Sequence, residues 1–416
     1  MKVNVIQQVP YRHLPHDFEN RYESVVTTPY ALAEPALVHA AYREALDELM
    51  HAARMGFDGL AVTEHAQSCY DMAPNPDILA AAVAYATEVE GLKVGILPLG
   101  RSLGKAREPL RVAEEYAMID CITNGRLLAG FPVGLAYDAN INNGVAPVEQ
   151  RARFEENLKL VTRAWTDPEP FAWNGKFHQH PIVNLWPRPI QQPPPIWMTG
   201  IGTPKSMVNA VDRGFGYNYF GWFGYKNLGP KVFSRFWKAV EQAGHEPNPY
   251  RVGFLQAIAV AETDAQAKEL YAEATEYFFR KALGSIPIER MAMPGWIEPA
   301  GLEAIFRDPG DFGMFPMMKT ITYDQAVEAG CLIAGGPKTV TEQLMAFLRE
   351  CRVGNLHAML QFGSMSHALA RRNIELFANE VLPTLRQLWT NEWKHHWWPR
   401  ALGGVPAQAR AQQAAR

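Results

Sequence analysis

Residues 60–68 read LAVTEHAQS, an apolar and β-branched run that stops abruptly at Glu64 and His65. The run is typical of a buried strand, and the small polar residues behind it predict a loop. In proteins that alternate strands and helices, reactive groups collect where parallel strands end. The acid and the imidazole therefore mark a candidate site at the carboxyl end of a strand.

Seven further apolar runs repeat this unit along the chain. With 58–64, the strand candidates are residues 3–9, 92–100, 126–132, 194–200, 214–220, 251–260 and 354–363. The clearest helical patterns are residues 36–55, 76–90, 107–123, 148–166 and 366–388. Strands separated by helices pair in parallel through right-handed crossovers, and eight such units close a ring. We therefore predict an α/β fold, a (β/α)8 TIM barrel with insertions at the C-terminal face of the strands.

The chain is predicted to form one barrel domain over residues 1–389, because no linker-like change of composition divides it. Residues 167–195 are predicted to be a proline-rich excursion with a short strand pair. Residues 283–330 hold many large apolar side chains, and because long inserts in barrels usually cover the site, we interpret this apolar insert as a lid. Residues 390–416 are predicted to be a C-terminal arm or a disordered tail.

The composition predicts a globular protein with a sizeable core, since 48% of the 416 residues are hydrophobic and 20% are charged. A net charge of −3 gives no basic surface for nucleic acid. No stretch has the pattern of a signal peptide or of a membrane span, so we expect a cytoplasmic protein without a membrane partner. The four cysteines lie far apart without a C-x-x-C pair, which predicts reduced and mostly buried thiols.

Glu64 and His65 are the catalytic candidates. A histidine exchanges protons near neutral pH, and a nearby carboxylate could fix its tautomer or raise its basicity. Consecutive residues of a strand point to opposite faces, so we expect the two side chains not to touch each other. The alternative is a histidine with a purely structural role.

The loop after the fifth strand candidate, TGIGTPKSMVNAVDRGFGY (199–217), has the features of an anion site. Gly200 and Gly202 permit a tight turn, Thr203 is placed as the N-cap of a helix, and Ser206 falls in its first turn. A helix start with hydroxyls, adjoining Thr199 on the strand, suits one phosphate group. It is neither a dinucleotide fingerprint nor a P-loop, and an ordinary connection between strand and helix is the alternative.

His178 and His180 have the spacing of two metal ligands, but no third potential ligand lies at a sequence spacing typical of a metal site. We interpret them as surface histidines and predict no metal site. Neither a G-x-S-x-G nucleophile elbow nor a zincin H-E-x-x-H motif is present in the sequence.

An ordered series of motifs resembles the bacterial luciferase-like family of flavin-dependent oxidoreductases. The motifs are GFDGLAVTEHAQ (56–67), PLRVAEEYAMIDCITNGRLLAGFPVG (109–134), RFEENLKLVTRAWTDPEPFAWNGKFH (153–178), PRPIQQPPPIWMTGIGTPKS (187–206), GGPKTVTEQL (335–344) and IELFANEVLPTLRQLW (374–389). The resemblance implies the same barrel and an FMN-dependent monooxygenase. In such an enzyme reduced FMN, supplied by a separate reductase, and O2 insert oxygen into a small and fairly hydrophobic substrate. It also implies a homodimer.

Within the family's E-H-H motif, His65 matches the first histidine, a proton-handling residue beside the flavin, whereas Ala66 replaces the second. Thr203 and Ser206 match hydroxyl positions that hold the flavin phosphate. Gly202 stands where luciferase carries an acid.

The resemblance also implies cofactor contacts at the ends of the third and fourth strands. Gly100 and Arg101 lie where the family often has a backbone kink beneath the isoalloxazine ring, and we expect a cis peptide bond near them. Val133, in the loop FPVG (131–134), stands where luciferase carries a phosphate-contacting arginine.

Two alternatives share most of these features. A deazaflavin-dependent dehydrogenase would use the same barrel and the same phosphate site for hydride transfer. A flavin-binding protein without turnover is suggested by the loss of the second histidine at Ala66. The sequence leaves open the substrate and the subtype of oxygen insertion: hydroxylation, Baeyer–Villiger insertion or cleavage of a carbon–heteroatom bond.

Overall fold

The computed structural model describes residues 1–140, 142–220, 224–284, 286, 293–297, 299, 303, 318–393 and 396–404. Its strands are β1 Lys2–Gln7, β2 Gly59–Val62, β3 Gly95–Pro98, β4 Ala129–Gly130, β5 Phe171–Asn174, β6 Gln179–Val183, β7 Ile196–Gly200, β8 Gly216–Phe220, β9 Val252–Val260, β10 Leu332–Gly335 and β11 Asn355–Met359.

Eight parallel strands form the predicted barrel, in the order β3-β2-β1-β11-β9-β8-β7-β4. A parallel bridge between Ile96 and Leu127 joins the two ends of this order and closes the ring. The structure thereby confirms the (β/α)8 barrel, and all eight strand candidates contribute to it. Because the strands are parallel, their carboxyl ends meet at one rim.

The helices are α1 Phe18–Arg21, α2 Pro35–Arg54, α3 Pro76–Val89, α4 Pro109–Ile122, α5 Ala136–Asn140, α6 Pro147–Thr166, α7 Pro204–Asp212, α8 Tyr225–Gln242, α9 Asp264–Glu276, α10 Tyr323–Ala329, α11 Pro337–Glu350, α12 His367–Leu376 and α13 Leu382–Arg386. Short 3-10 turns lie at Tyr30–Leu32 and Pro249–Arg251, and π-helical turns at Tyr277–Leu283 and Phe377–Val381. The five clearest helical patterns are confirmed, with ends that differ by at most two residues. No helix among the described residues is long and apolar enough to cross a membrane.

The ninth strand of the sheet, β10, was not predicted. It pairs with Ala257–Val260, the upper half of β9, beyond the part of β9 that pairs with β8. A nine-residue β9 reaches past its neighbour and leaves a free edge there, which the four residues of β10 cover. Such a short run between glycines carries little periodicity in the sequence.

The barrel interior is filled by side chains, as in other TIM barrels. Trp197 takes the space beside Gly216, where an added Cβ would overlap the indole ring. A polar layer joins four strands: Asn4, Asn218 and His357 lie fully buried and in contact around Gly253. The interior is thus closed to solvent, and a ligand must bind at the rim.

The two ends of the barrel differ in how they are covered. At the start of the strands, the segment 396–404 packs across the bottom: Trp197 Nε1 donates to the carbonyl of Trp398, and Gly403 N donates to Gly125. A cavity of about 310 Å³ lies between this segment and the start of β3. Residues 394–395 and 405–416 of the predicted arm lie outside the described residues.

The two predicted insertions lie at opposite ends of the ring. Residues 167–195 connect the end of α6 to the start of β7, so the prediction that they lie at the C-terminal face of the strands is wrong, because they follow a helix and not a strand. The described residues 293–297 of the apolar insert contact the loop after β4, at the strand ends. Residues 167–195 contain the predicted strand pair, the antiparallel hairpin β5–β6. Most of the apolar insert 283–330, including Met291, Phe306 and Met314, lies outside the described residues; Met293, Trp296 and Met318 are described.

Candidate functional site

Glu64 and His65 follow the end of β2 and contact different groups, in agreement with the expectation that the two side chains do not touch each other. The carboxylate of Glu64 accepts the backbone N–H of Ser102 at 2.6 Å and lies 3.6 Å from Lys105 Nζ. Burial raises the pKa of Glu64, while the positive charges of Lys105 and Arg101 oppose that rise. Glu64 therefore ties the end of β2 to the loop after β3.

Arg101 belongs to a buried ion cluster at these strand ends. Its guanidinium lies 2.8 Å from Glu115, 3.6 Å from Asp77 and 4.0 Å from Glu64. Beside it, Lys105 forms an ion pair with Asp138 at 2.7 Å. Because the Arg101 guanidinium is ion-paired with these carboxylates, we expect this residue to contact a cofactor through its backbone atoms.

His65 is hydrogen-bonded to Tyr70, which in turn contacts Tyr137, and no sequence motif connects these two tyrosines with the histidine. Its Nδ1 lies 2.6 Å from the Tyr70 hydroxyl, which in turn lies 3.1 Å from the Tyr137 hydroxyl. Burial lowers the pKa of His65, partly offset by the negative charges of Asp71 and Asp138. At neutral pH the imidazole is therefore uncharged.

Gly100 is placed where only a glycine fits, because an added Cβ would overlap the backbone N of Glu64. The expected cis peptide bond is wrong: the cis bonds of the described residues precede Pro187, Pro193 and Pro399. The absence of a side chain at Gly100 lets the strand end pass close to β2 on a trans peptide bond.

The FPVG loop after β4 packs on the loop after β3. The carbonyl of Val133 accepts the Ser102 hydroxyl at 2.9 Å and the Gln150 amide at 3.1 Å. Val133 is partly exposed, while its carbonyl holds the two loops together.

The start of α7 has the predicted N-cap and a cluster of hydroxyls. Thr203 is the N-cap and Pro204 the first residue, but the Thr203 side chain makes no capping bond. Its hydroxyl lies 2.8 Å from the Ser206 hydroxyl, which lies 3.3 Å from that of Tyr217. The Tyr217 hydroxyl also accepts the N–H of Gly202 at 2.9 Å. The partly exposed hydroxyls of Thr203 and Ser206 thus lie at the positive end of a helix dipole, above the buried Tyr217 hydroxyl. The Ser206 hydroxyl donates to the Thr203 carbonyl at 2.8 Å, a bond that it would exchange for one to a bound phosphate group.

The two glycines of this turn are required by its shape. Gly202 has a φ of +83°, and a Cβ there would lie 2.6 Å from Val232 Cγ1. A Cβ on Gly200 would lie 2.9 Å from the Tyr217 hydroxyl. A larger residue at either position would displace Val232 or the Tyr217 hydroxyl.

Thr199 lies just below this turn and is linked to the polar layer inside the barrel. Its hydroxyl accepts the Asn218 amide at 3.5 Å, and Asn218 Oδ1 lies 2.8 Å from His357 Nε2. On its other side, the His357 ring lies 3.4 Å from the Asn4 amide. Burial lowers the pKa of His357 to about 3, so this imidazole is neutral and donates to Asn218.

The described part of the apolar insert reaches the loop after β4. The Trp296 indole donates to the carbonyl of Gly134 at 3.1 Å, and Arg151 Nε donates to the Trp296 carbonyl at 3.2 Å. Met293 packs against the buried residues near the rim. Residues 293–297 therefore lie over the strand-end side of the barrel.

The candidate residues occupy four consecutive strands of the ring, β2, β3, β4 and β7. Glu64, Gly100 and Arg101 contact one another directly, whereas the hydroxyl cluster of Thr203 and Ser206 is a separate group three strands away. Sequence reasoning missed the groups that hold them in place: Tyr70, Tyr137, Lys105, Asp138 and Tyr217. Of these, Tyr217 alone had a signal, since strand alternation in GFGYNYF sets the face on which it lies.

The histidines of the β5–β6 hairpin differ from the prediction. His178 is buried, so the prediction of a surface histidine is wrong for it, because this face of the hairpin packs on α6, where Glu156 accepts the N–H of His178 at 3.0 Å. His180 is half-buried, and its ring stacks on that of His178. Among the described residues, no group of three or more His, Cys, Asp or Glu could hold a metal ion.

Comparisons with known proteins agree with the barrel fold. A family model described as luciferase-like monooxygenase matches residues 23–353. The 3,6-diketocamphane 1,6-monooxygenase of Pseudomonas putida is 25% identical over 374 residues, which cover 81% of this chain and 91% of that protein.

Two solved structures share the fold over nearly their whole length. One is the type II Baeyer–Villiger monooxygenase that is the oxygenating constituent of 3,6-diketocamphane monooxygenase from Pseudomonas putida, in complex with FMN. It has a TM-score of 0.62, 21% identity, and coverage of 92% of this chain and 98% of that one. The other is an F420-dependent secondary alcohol dehydrogenase in complex with an F420–acetone adduct, with a TM-score of 0.62, 16% identity, and coverage of 92% and 99%.

Proposed function

The chain belongs to the luciferase-like monooxygenase family, and we propose that it is the oxygenase component of a two-component, FMN-dependent monooxygenase. The observation that carries this proposal is the hydroxyl cluster at the start of α7, three strands along the rim from His65. We place the phosphate tail of the cofactor at this cluster and its reactive ring near His65. When bound, reduced FMN supplies the two electrons with which dioxygen is activated for insertion into a substrate.

The residues at α7 fit the phosphate end of FMN. Thr203 and Ser206 offer hydroxyls, Gly200 and Gly202 allow the tight turn that brings Tyr217 and Val232 against it, and the dipole of α7 favours a dianion. Thr199 steadies the end of β7 beneath them.

The phosphate contact is tested by comparing FMN with riboflavin, which lacks the phosphate. Ser206→Ala should weaken FMN binding roughly 10- to 150-fold, because a hydrogen bond to a charged group contributes roughly 1.5–3 kcal/mol. Riboflavin binding should not change. Equal losses for both ligands would mean that Ser206 does not contact the phosphate.

At the ring end of the cofactor, we place Gly100 and Val133 against the isoalloxazine and His65 beside its reacting edge. The neutral imidazole of His65 is partly exposed at the rim, whereas Glu64 is held in the ion cluster. Glu64 therefore acts by fixing the loops that shape the site. His65 is left to exchange hydrogen bonds or protons with a ligand.

The apolar insert is proposed to cover the site and exclude water. Its described residues 293–297 are fastened to the loop after β4 by Trp296 and Arg151. Met293, Trp296 and Met318 give the described part an apolar character, which suits a small and fairly hydrophobic substrate.

Turnover with labelled oxygen separates this proposal from its two alternatives. A panel of small hydrophobic ketones, amines and sulfur compounds is supplied with reduced FMN and ¹⁸O2, and products are analysed by mass spectrometry. Incorporation of label supports the monooxygenase. Oxygen-independent oxidation of an alcohol with F420, the cofactor of the dehydrogenase that shares this fold, would support a deazaflavin enzyme. FMN binding without any product would leave a flavin-binding protein.

Two partners follow from the proposal. Reduced FMN must be delivered by a separate flavin reductase, in agreement with the description of the FMN-bound structure as an oxygenating constituent.

The second partner is another copy of the chain. Ile78, Tyr85 and Val89 on α3, with Met118 and Ile122 on α4, form an exposed apolar surface on two packed helices. We place the contact of a homodimer on this α3–α4 surface.

A further inference from the structure

The side chain that holds His65 is the hydroxyl of Tyr70. Tyr70 is 4% exposed and Tyr137 is fully buried, so no bulk water reaches the two phenols. With 2.6 Å from His65 Nδ1 to Tyr70 and 3.1 Å from Tyr70 to Tyr137, the three groups form a chain of two hydrogen bonds. Each bond needs one hydrogen, and the direction of the chain decides which nitrogen of His65 carries a hydrogen.

The direction follows from the buried end of the chain. Among the described residues, the Tyr137 hydroxyl has Tyr70 as its hydrogen-bond partner and no other. If Tyr137 accepted from Tyr70, its own hydrogen would be buried without an acceptor, which costs about 1–3 kcal/mol. Tyr137 therefore donates to Tyr70, and Tyr70 donates to Nδ1 of His65. Burial raises the pKa of both phenols far above neutral pH, so both keep their hydrogens.

We propose that Tyr70 is a positioning residue that fixes His65 as the neutral tautomer with its hydrogen on Nε2. This inference rests on the proposed function, because it specifies which hydrogen-bonding group of His65 faces a ligand at the rim. With Nδ1 occupied, the imidazole offers an N–H donor from Nε2 and no lone pair. His65 then assists the reaction by donating to an oxygen atom of the substrate or cofactor, and not by removing a proton.

The charges around His65 are compatible with this neutral form. Asp71 and Asp138 favour a cation and Lys105 disfavours it, but burial is the largest influence and lowers the pKa. The carboxylate of Asp71 is already bonded by the Thr63 hydroxyl at 2.5 Å and by the N–H of Val9 at 2.9 Å. At position 66, where the resemblance would place a second histidine, Ala66 has backbone hydrogen bonds alone: its N–H donates to Asp138 at 3.3 Å and its carbonyl accepts the Asn142 amide at 2.6 Å.

The tautomer is measured directly by NMR on protein labelled with ¹⁵N-histidine, using long-range ¹H–¹⁵N spectra at pH 7 with and without FMN. The His65 signals are identified by their loss in His65→Asn. We expect a neutral ring with its hydrogen on Nε2 in the wild type. In Tyr70→Phe, which keeps the ring but loses the donor, we expect a mixture of both tautomers.

Two matched variants complete the experiment. Tyr137→Phe leaves the Tyr70 donor in place, so the His65 tautomer should stay as in the wild type. Tyr30→Phe, at an exposed tyrosine, should change nothing. A wild-type His65 with its hydrogen on Nδ1, a charged His65, or an unchanged tautomer in Tyr70→Phe would each overturn the proposal. The wild-type spectrum decides it even if Tyr70→Phe does not fold, and a protein that fails to bind FMN would refute the proposed function without altering this result.

Discussion

At the scale of single residues, Glu64 and His65 show how one strand end serves two purposes. Glu64 enters the ion cluster and His65 bonds to Tyr70, although both residues lie just beyond the last residue of β2. The separation of the two side chains could be predicted from the sequence, because consecutive residues of an extended segment point to opposite sides. The partners could not, because Tyr70 and Tyr137 lie in an irregular loop and a short helix, where no periodicity fixes which way a side chain points.

His65→Asn is expected to lower turnover by about 100-fold or more while leaving the fold intact, since positioned proton donors and acceptors contribute roughly 10²–10⁴ in rate. The rate is measured with reduced FMN, oxygen and a substrate from the panel, and the fold by thermal unfolding. His180→Asn, at a half-buried histidine of the β5–β6 hairpin, is the control. Full activity in His65→Asn would remove the role proposed for this residue.

His357 makes stability depend on pH. Its pKa of about 3 in the folded protein lies below the usual 6.5, so the unfolded chain binds one more proton between these values. Stability from this residue is therefore complete above pH 6.5 and falls as the pH drops towards 3, by about 1.4 kcal/mol per unit.

The contribution of His357 is isolated by a substitution that cannot take up a proton. Urea unfolding of wild type and His357→Asn is compared at pH 7 and pH 4.5. The wild type should lose roughly 2–3 kcal/mol more than the variant over this interval, because other titrating groups are common to both. Identical losses would show that His357 is not held neutral in the folded state.

At the scale of elements, the parts that could be predicted are those with a regular period. The helices α2, α3, α4 and α6 and the eight barrel strands follow from apolar spacing along the sequence. The strand β10 and the trans peptide at Gly100 depend on what lies across the barrel: a free edge of β9, and the backbone of Glu64. Such contacts between distant segments leave no local signal.

The turn before α7 offers a test of element geometry. Gly202→Ala should destabilise the protein by about 2–5 kcal/mol, since a left-handed alanine costs 1–2 and the overlap with Val232 adds about 1–3. FMN binding should weaken as well. Gly214→Ala is the matched control, because Gly214 has a φ of +69° but open space around its Cα, so it should lose about 1–2 kcal/mol and no FMN affinity. Equal effects of the two substitutions would contradict the role of this turn.

The apolar insert is tested through the coupling of oxygen use to product. Trimming the insert, or Trp296→Ala, which removes its bond to Gly134, should admit water and raise the release of hydrogen peroxide several-fold per reduced FMN consumed. Peroxide and product are measured together in one assay. Trp186→Ala, at a tryptophan that is 79% exposed, is the control. Unchanged coupling after trimming would count against a lid.

At the scale of the whole molecule, the two ends of the barrel are divided between stability and function. The bottom is sealed by the segment 396–404, where Trp398 donates to Gly214 and stacks 4.5 Å under the Arg251 guanidinium. Because the bottom is covered, ligands are expected to bind at the rim, among the loops that follow the strands and beneath the apolar insert. The sequence of residues 390–416 predicted an arm or a disordered tail, because its end is rich in Ala and Gln. The packing of the preceding tryptophans across the starts of the strands could not be predicted from that composition.

The homodimer is tested at the exposed α3–α4 surface. In an isologous dimer each substituted residue is buried twice, and a buried charge without a partner costs several kcal/mol. Tyr85→Glu combined with Val89→Glu, which introduces charges of the same sign, should therefore convert a dimer into monomers at micromolar concentration, measured by light scattering during size-exclusion chromatography. Trp186→Arg, also at an exposed aromatic residue but on a different surface, should leave the dimer intact. A monomeric wild type, or a doubly substituted chain that remains dimeric, would place the contact elsewhere, whereas FMN binding at the rim should be the same in both variants.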